Sequence, residues 1–177
     1  MVFEETQRFR QWWLWALLLF TVVFIVVRVN YTIRIVDGEV VSKHWAWQIS
    51  RIGIGILVIA LFGFMSLQVS INEQGIVYRF YPLQIKHRNI HWEEVDKAYV
   101  RKYNPLLDYG GWGIKFGRKG RAVNVSGNIG LQLEYKNGRK LLIGTNKPEE
   151  LDAFMKELYA KGIVKDDEPT ASLKDRY

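Results

Sequence analysis

The chain has 177 residues, a formal net charge of +7 and no cysteine. The lack of cysteine excludes disulfide bonds, thiolate catalysis and cysteine-ligated metal sites. The basic balance favours anionic partners such as lipid head groups, although many domains carry a similar excess for solubility alone.

The N-terminal part of the chain contains two long apolar segments. Residues 1–11 mix acidic and basic side chains, and we interpret them as an amphipathic lead-in. Uncharged apolar runs follow at residues 12–27 and 52–69. A bilayer core about 30 Å thick needs about 20 apolar helical residues, and Trp or Arg at the ends extends the usable length of a shorter run. The sequence therefore predicts a transmembrane hairpin of two helices, at residues 12–29 and 49–69.

The linker at residues 30–48 contains a second local signal. Residues 31–36 alternate and lead into Asp37-Gly38, which is a strong two-residue hairpin signal. We expect a small β-hairpin over residues 31–42. The basic residues on the two sides of the helices are too evenly divided to fix the orientation, but the basic C-terminal segment favours the cytoplasm. The resulting prediction is an integral protein of a bacterial inner membrane, with its large domain in the cytoplasm.

From residue 70 the apolar period changes to two, which is typical of β-strands. About seven short strands are expected, and Asn137-Gly138 is the strongest hairpin signal among them. An amphipathic helix follows, with Pro148 at its first position and Gly162 after its end. The fold class predicted for residues 70–164 is an antiparallel β-barrel or sandwich with one C-terminal helix covering an open end. Residues 165–177 are charged and low in aliphatic side chains, which predicts a disordered tail.

Short segments spread over nearly the whole chain carry a family resemblance. They read Phe3-Glu4-Glu5 and Gln7-Arg8-Phe9, Ile90-His91-Trp92 with Glu94-Val95, Gly113-Ile114-Lys115-Phe116-Gly117, Asn124-Val125-Ser126-Gly127-Asn128, Gly130-Leu131, and Leu142-Ile143-Gly144-Thr145. With these segments the chain resembles small bacterial membrane proteins in which two N-terminal transmembrane helices precede a pleckstrin-homology-like (PH-like) domain. The resemblance implies a membrane anchor and a PH-like binding fold, with no catalytic residues and no cofactor.

Residues 104–112 form the most unusual predicted loop. Apolar and aromatic side chains stand there on a backbone rich in Gly and Pro, namely Leu106, Leu107, Tyr109 and Trp112. Such side chains either form a contact surface for a partner or the membrane, or pack beneath the domain. We favour the contact surface, and the packed alternative stays open.

A basic hairpin tip follows this loop, formed by Lys115, Arg118, Lys119 and Arg121. Clustered cations can hold the phosphates of anionic head groups through charge-assisted hydrogen bonds. A solvated turn that happens to be basic is the more favoured interpretation, head-group contact is the second, and contact with a protein partner is the third.

The sequence lacks a recognisable catalytic arrangement, phosphate-binding glycine loop or nucleic-acid motif. His87 and His91 are too far apart on an extended segment, about 13 Å, to bind one metal ion. The predicted function is a non-enzymatic, membrane-anchored PH-like module for protein interaction or assembly at the bilayer surface, with a protein or another copy of the chain as partner. The alternative is a sensor of anionic lipid head groups. An enzyme acting on lipid or envelope substrates is the least favoured hypothesis.

Overall fold

The structure is a computed structural model that describes residues 2–35, 45–117 and 119–165. These residues form two compact units. The helical unit is Phe9–Phe64, and the sheet unit combines residues 2–8 with residues 65–165. The predicted disordered tail, apart from Lys165, lies outside the described residues.

The helical unit consists of α1 (Trp12–Ile35) and α2 (Trp45–Phe64). A side chain added at Gly55 would lie 3.0 Å from Val22 Cγ2, so this glycine allows the two helices to approach closely. At the other end of the pair, the rings of Phe9 and Phe62 meet edge to face at 5.4 Å. The Trp15 indole also donates a hydrogen bond to the Phe9 carbonyl oxygen, at 2.9 Å.

The prediction of a transmembrane hairpin is wrong. Within the described part of the chain, no helix combines the length and the apolarity that a membrane crossing requires. The apolar runs and the helices do not coincide, because α1 extends over Arg28, Asn30 and Arg34 and the first turns of α2 include Arg51. The predicted integral localisation in a bacterial inner membrane is corrected by the same finding.

The predicted linker hairpin is also wrong in its first half. Residues 31–35 continue α1 as helix, and the remainder of the predicted hairpin, residues 36–42 with Asp37-Gly38, lies outside the described residues. A growing helix adds one hydrogen bond for each residue it fixes, whereas an isolated two-stranded ribbon is only marginally stable. In residues 31–35, continuation of the preceding helix therefore outweighs the local alternation of apolar and polar residues.

The first sheet of the sheet unit is antiparallel throughout. Its strands, in spatial order, are β1 (Phe3–Arg8), β2 (Ser66–Ile71), β3 (Gly75–Tyr81) and β4 (Arg88–His91). Strand β2 begins inside the second apolar run, so residues 66–69 were wrongly assigned to a helix. Strand β1 was expected only as an amphipathic lead-in. Its side chains alternate between buried and exposed from Phe3 to Arg8, as a strand with one covered face requires.

The second sheet contains five strands in the order β5-β8-β9-β7-β6. They are β5 (Val95–Lys102), β6 (Gly113–Gly117), β7 (Gly120–Asn124), β8 (Ile129–Tyr135) and β9 (Lys140–Gly144). Strands β7 and β9 run parallel, and the other pairs are antiparallel. A barrel requires its first and last strands to pair, but β5 and β6 are separated here by three other strands. The predicted antiparallel PH-like barrel of about seven strands is therefore wrong, because the described residues form nine strands in two open sheets.

Two helices complete the sheet unit, the short α3 (Pro105–Tyr109) and α4 (Pro148–Ala160). Helix α4 agrees with the sequence prediction, with Pro148 at its start and Gly162 in a left-handed conformation after its end. Its Leu151, Met155 and Leu158 are fully buried. The Tyr159 hydroxyl donates a hydrogen bond to the Ala98 carbonyl oxygen at 2.8 Å, which ties the end of α4 to β5.

Polar side chains of β1 connect the first sheet to the end of β9. Gln7 Nε2 donates to the Gly144 carbonyl oxygen at 2.6 Å in a buried hydrogen bond. The buried Glu5 carboxylate accepts hydrogen bonds from Thr145 Oγ1 and from the Asn146 backbone N–H, both at 2.7 Å. Strand β1 is therefore an integral part of the sheet unit, although 56 residues of the helical unit separate it from β2.

Candidate functional site

The loop at residues 104–112 contains a well-defined single-turn helix, α3. Asn104 Oδ1 accepts hydrogen bonds from the backbone N–H groups of Leu106 and Leu107 at 3.1 and 3.0 Å. Pro105 occupies the first helical position, and Gly110 ends the turn with a positive φ of 74°. An Asn cap, a Pro at the first position and a left-handed Gly are the usual signals for starting and ending a helix. The local sequence therefore specifies this turn.

The buried side of α3 packs against the second sheet. Its Tyr109 ring is buried and meets Tyr103 edge to face at 5.9 Å. The Tyr109 hydroxyl accepts a hydrogen bond from Arg101 at 3.1 Å. Gly117 of β6 lies so close to the Asp108 carbonyl oxygen that no side chain fits between them. These contacts hold the backbone of α3 in one position against the sheet.

Electrostatic contacts at the side of α3 add to this fixation. The Asp108 carboxylate forms an ion pair with Lys119 at 3.0 Å and accepts a hydrogen bond from the Asn104 N–H. Burial acts to raise the pKa of Asp108, but the Asn104 hydrogen bond and the Lys119 ammonium outweigh it, so the pKa is lowered. The carboxylate therefore remains charged and keeps α3 joined to the β6–β7 turn.

The structure divides the four predicted contact residues into two groups. Leu106 and Leu107 are exposed, with 62% and 83% of their surface accessible. Tyr109 is 4% exposed and belongs to a small buried cluster with Tyr103, Ala122 and Leu142. Trp112 is half-buried, and its indole donates to the Gly127 carbonyl oxygen at 3.2 Å. The packed interpretation therefore applies to Tyr109, and the contact surface stays a prediction for the exposed Leu106 and Leu107.

The predicted basic tip does not form one cluster. Lys119 pairs with Asp108, as described above, and Arg118 lies outside the described residues. Lys115 is opposite Ala122 in the β6–β7 ladder and Arg121 is opposite Phe116, so Lys115 and Arg121 project from opposite faces of the hairpin. Arg121 instead lies over the Phe116 ring, 5.5 Å from its centroid.

A large open cavity of about 1060 Å³ lies beside this hairpin, within the sheet unit. We call it the basic groove. Cationic side chains outnumber carboxylates six to two in its lining, which comprises Arg88, Arg101, Lys119, Arg121, Arg139 and Lys140 against Glu94 and Glu134. Aromatic rings contribute as well, from Tyr78, Tyr99, Phe116 and Tyr135. Of the basic-tip residues that the structure describes, Lys119 and Arg121 belong to it and Lys115 does not.

Several polar side chains in the lining of the basic groove contact one another. Glu134 forms an ion pair with Lys140 at 2.6 Å and accepts a hydrogen bond from the Tyr99 hydroxyl at 3.0 Å. Arg101 donates from two nitrogen atoms to Gln132 Oε1, at 2.9 and 3.0 Å. Lys140 is therefore paired within the groove, whereas Arg88, Arg121 and Arg139, which also line it, form no ion pair among the described residues.

Sequence reasoning missed Arg88, Arg139 and Tyr135 as site residues. They belong to different strands and turns, and only the pairing of those strands brings them to one cavity. The alternation of each strand indicates which side chains share a face, but it does not indicate which strands become neighbours. Among the residues that the structure describes, no group of three or more His, Asp or Glu side chains is arranged to hold a metal ion.

Comparisons with known proteins add no assignment. Neither a protein-family model nor a curated protein matches this sequence. The resemblance to PH-like membrane proteins therefore stays a prediction.

Proposed function

We propose that this chain is a non-enzymatic protein-interaction module, and that Leu106 and Leu107 on α3 form its contact surface. The observation that carries this proposal is the exposure of two adjacent leucines, 62% and 83%, on a turn that is fixed by a cap, a buried ring and an ion pair. A turn that merely connected two strands would not need this number of contacts to hold two apolar side chains in water.

A fixed backbone makes the two leucines effective in binding. Association costs less when the contact residues are already ordered, because little conformational entropy remains to be lost. Complete burial of a leucine side chain contributes about 1.5–3 kcal/mol, so the pair supplies enough energy for the centre of a small interface. Proteins offer the matching apolar surface, and a second copy of this chain is one such partner.

Site-specific photo-crosslinking tests the proposal. A photoreactive amino acid placed at Leu107 in the full chain is expected to crosslink to a defined protein when the cells are irradiated. The same amino acid at Ile85 is the matched control, because Ile85 is also an exposed apolar residue of the sheet unit, at 72%, on a different loop.

The supporting result is an adduct from position 107 that position 85 does not give and that Leu106→Ser suppresses. Circular dichroism of Leu106→Ser should match the wild type, because this side chain makes no buried contact. The proposal is wrong if both positions give the same adducts, or if position 107 gives none. An adduct of twice the chain mass would identify the partner as another copy.

A further inference from the structure

The part of the basic groove that is lined by Arg88, Arg121 and Arg139 also contains Tyr135. The pKa of Tyr135 is raised to about 12, first because burial disfavours the phenolate, and further because Tyr78 and Glu94 lie close by. Arg139 and Arg121 act in the opposite direction, since their positive charges favour the phenolate. Two guanidinium groups and one carboxylate therefore lie around a hydroxyl that stays protonated at neutral pH.

The arginines here are held in place but not neutralised. Arg121 lies over the Phe116 ring and Arg139 over the Tyr135 ring, at 5.5 and 5.8 Å from the ring centroids. Arg139 Nε also donates to Asn137 Oδ1 at 3.2 Å. Among the described residues, none of Arg88, Arg121 and Arg139 forms an ion pair. Stacking on an aromatic face positions a guanidinium while its N–H edge remains available for a ligand.

We propose that this part of the basic groove binds a phosphomonoester, with Arg121, Arg139 and Arg88 as its phosphate ligands. The proposal concerns a different surface from α3 and does not depend on it. The three arginines and Glu94, which line the groove together, sum to a charge of 3 − 1 = +2, and this matches a phosphate dianion better than a carboxylate. A phosphate also offers three terminal oxygen atoms, enough to accept hydrogen bonds from more than one guanidinium fork.

The groove has space for more than the phosphate. Its volume of about 1060 Å³ is at the upper end of the range for small-molecule sites, about 300–1,000 Å³. Tyr78 and Phe116 line the space beside the arginines and offer apolar surface to an organic group. The ligand class is therefore a phosphomonoester on an organic body, either a soluble metabolite or a lipid head group.

Calorimetric titration of the full chain with phenyl phosphate tests this site. Phenyl sulfate is the matched probe, because it has the same shape but carries one negative charge where phenyl phosphate carries close to two above pH about 7. We expect phenyl phosphate to bind more tightly. Arg121→Gln should weaken its binding about tenfold or more, as loss of a charge-assisted hydrogen bond predicts.

Two further variants make the result specific. Lys115→Gln removes the same charge from the same hairpin but outside the groove lining, and it should change the affinity by less than about twofold, as expected for a distant exposed charge. The double variant Arg88→Gln/Arg139→Gln replaces exposed side chains, so it should fold normally and also lose binding. This double variant replaces Arg121→Gln as the test if circular dichroism shows that the latter is unfolded.

Vesicles of phosphatidylcholine with or without phosphatidate distinguish the two sources of the phosphate. Binding that requires phosphatidate and is lost in Arg121→Gln, without binding of phenyl phosphate, identifies a lipid head group. Binding of phenyl phosphate identifies a ligand that need not be part of a bilayer. The proposal is overturned if neither probe distinguishes the groove variants from the wild type, if Lys115→Gln loses as much binding as Arg121→Gln, or if phenyl sulfate binds as tightly as phenyl phosphate.

Discussion

Glu5→Ala should lower the free energy of unfolding of the sheet unit by about 3 kcal/mol. The Glu5 carboxylate is buried and accepts two hydrogen bonds at 2.7 Å, one from Thr145 Oγ1 and one from the Asn146 N–H. A hydrogen bond to a charged group contributes about 1.5–3 kcal/mol, so the lower value for each of the two gives this estimate. Both bonds join β1 to the segment after β9, and their loss should loosen β1 first.

Glu4→Ala is the matched control for this prediction. Glu4 is adjacent in β1 but exposed, so its truncation should change the free energy of unfolding by less than about 0.5 kcal/mol. Urea unfolding followed by near-ultraviolet circular dichroism measures both variants. Hydrogen exchange should show faster exchange of the β1 amides in Glu5→Ala than in Glu4→Ala. Equal destabilisation by the two variants would refute the assignment of Glu5 as a buried connection between the sheets.

Two other predictions concern the buried side of α3. Burial raises the pKa of Tyr103 to about 12, although the hydrogen bond from Asn124 acts against this. The unfolded chain loses this proton near pH 10. The contribution of Tyr103 to the free energy of unfolding should therefore be fully present below pH 10 and fall by up to about 1.4 kcal/mol per pH unit from pH 10 to 12. Urea unfolding across this range should give a shallower slope for Tyr103→Phe, and an unchanged slope would contradict the burial argument. Gly117→Ala should displace α3, because the new Cβ would overlap the Asp108 carbonyl oxygen, and it should cost about 1–3 kcal/mol. Crosslinking from position 107 should fall in the same variant, whereas Gly53→Ala, at a helical position where a Cβ meets no neighbouring atom, should leave crosslinking unchanged.

The parts of the fold that sequence reasoning predicted well are those defined by local signals. Helix α4 has an apolar stripe of the correct period, a proline at its start and a glycine after its end. The hairpin around Asn137-Gly138 has a turn that fixes its own register, with Glu134 opposite Lys140 in the ladder. In both cases the residues that determine the element are within the element itself.

The parts that were missed depend on residues far away in the chain. Strand β1 buries Glu5 and Gln7, and polar residues on a buried face look like a solvated segment until their partners at residues 144–146 are known. Residues 66–69 were assigned to a helix because an apolar run does not distinguish a buried strand from a helical span. The basic groove requires the pairing of strands that are not neighbours in sequence, which composition and periodicity do not specify.

The connection between β1 and β9 has a consequence for the order of folding. Gln7 and Gly144 are 137 residues apart in the chain. At a synthesis rate of about 5–20 residues per second, Gly144 is made about 7 to 27 s after Gln7. Until β2 is made, the edge of β1 is unpaired and exposed to wrong partners. Strand β1 is therefore made long before the contacts that fix it, and nascent-chain misassembly should begin there.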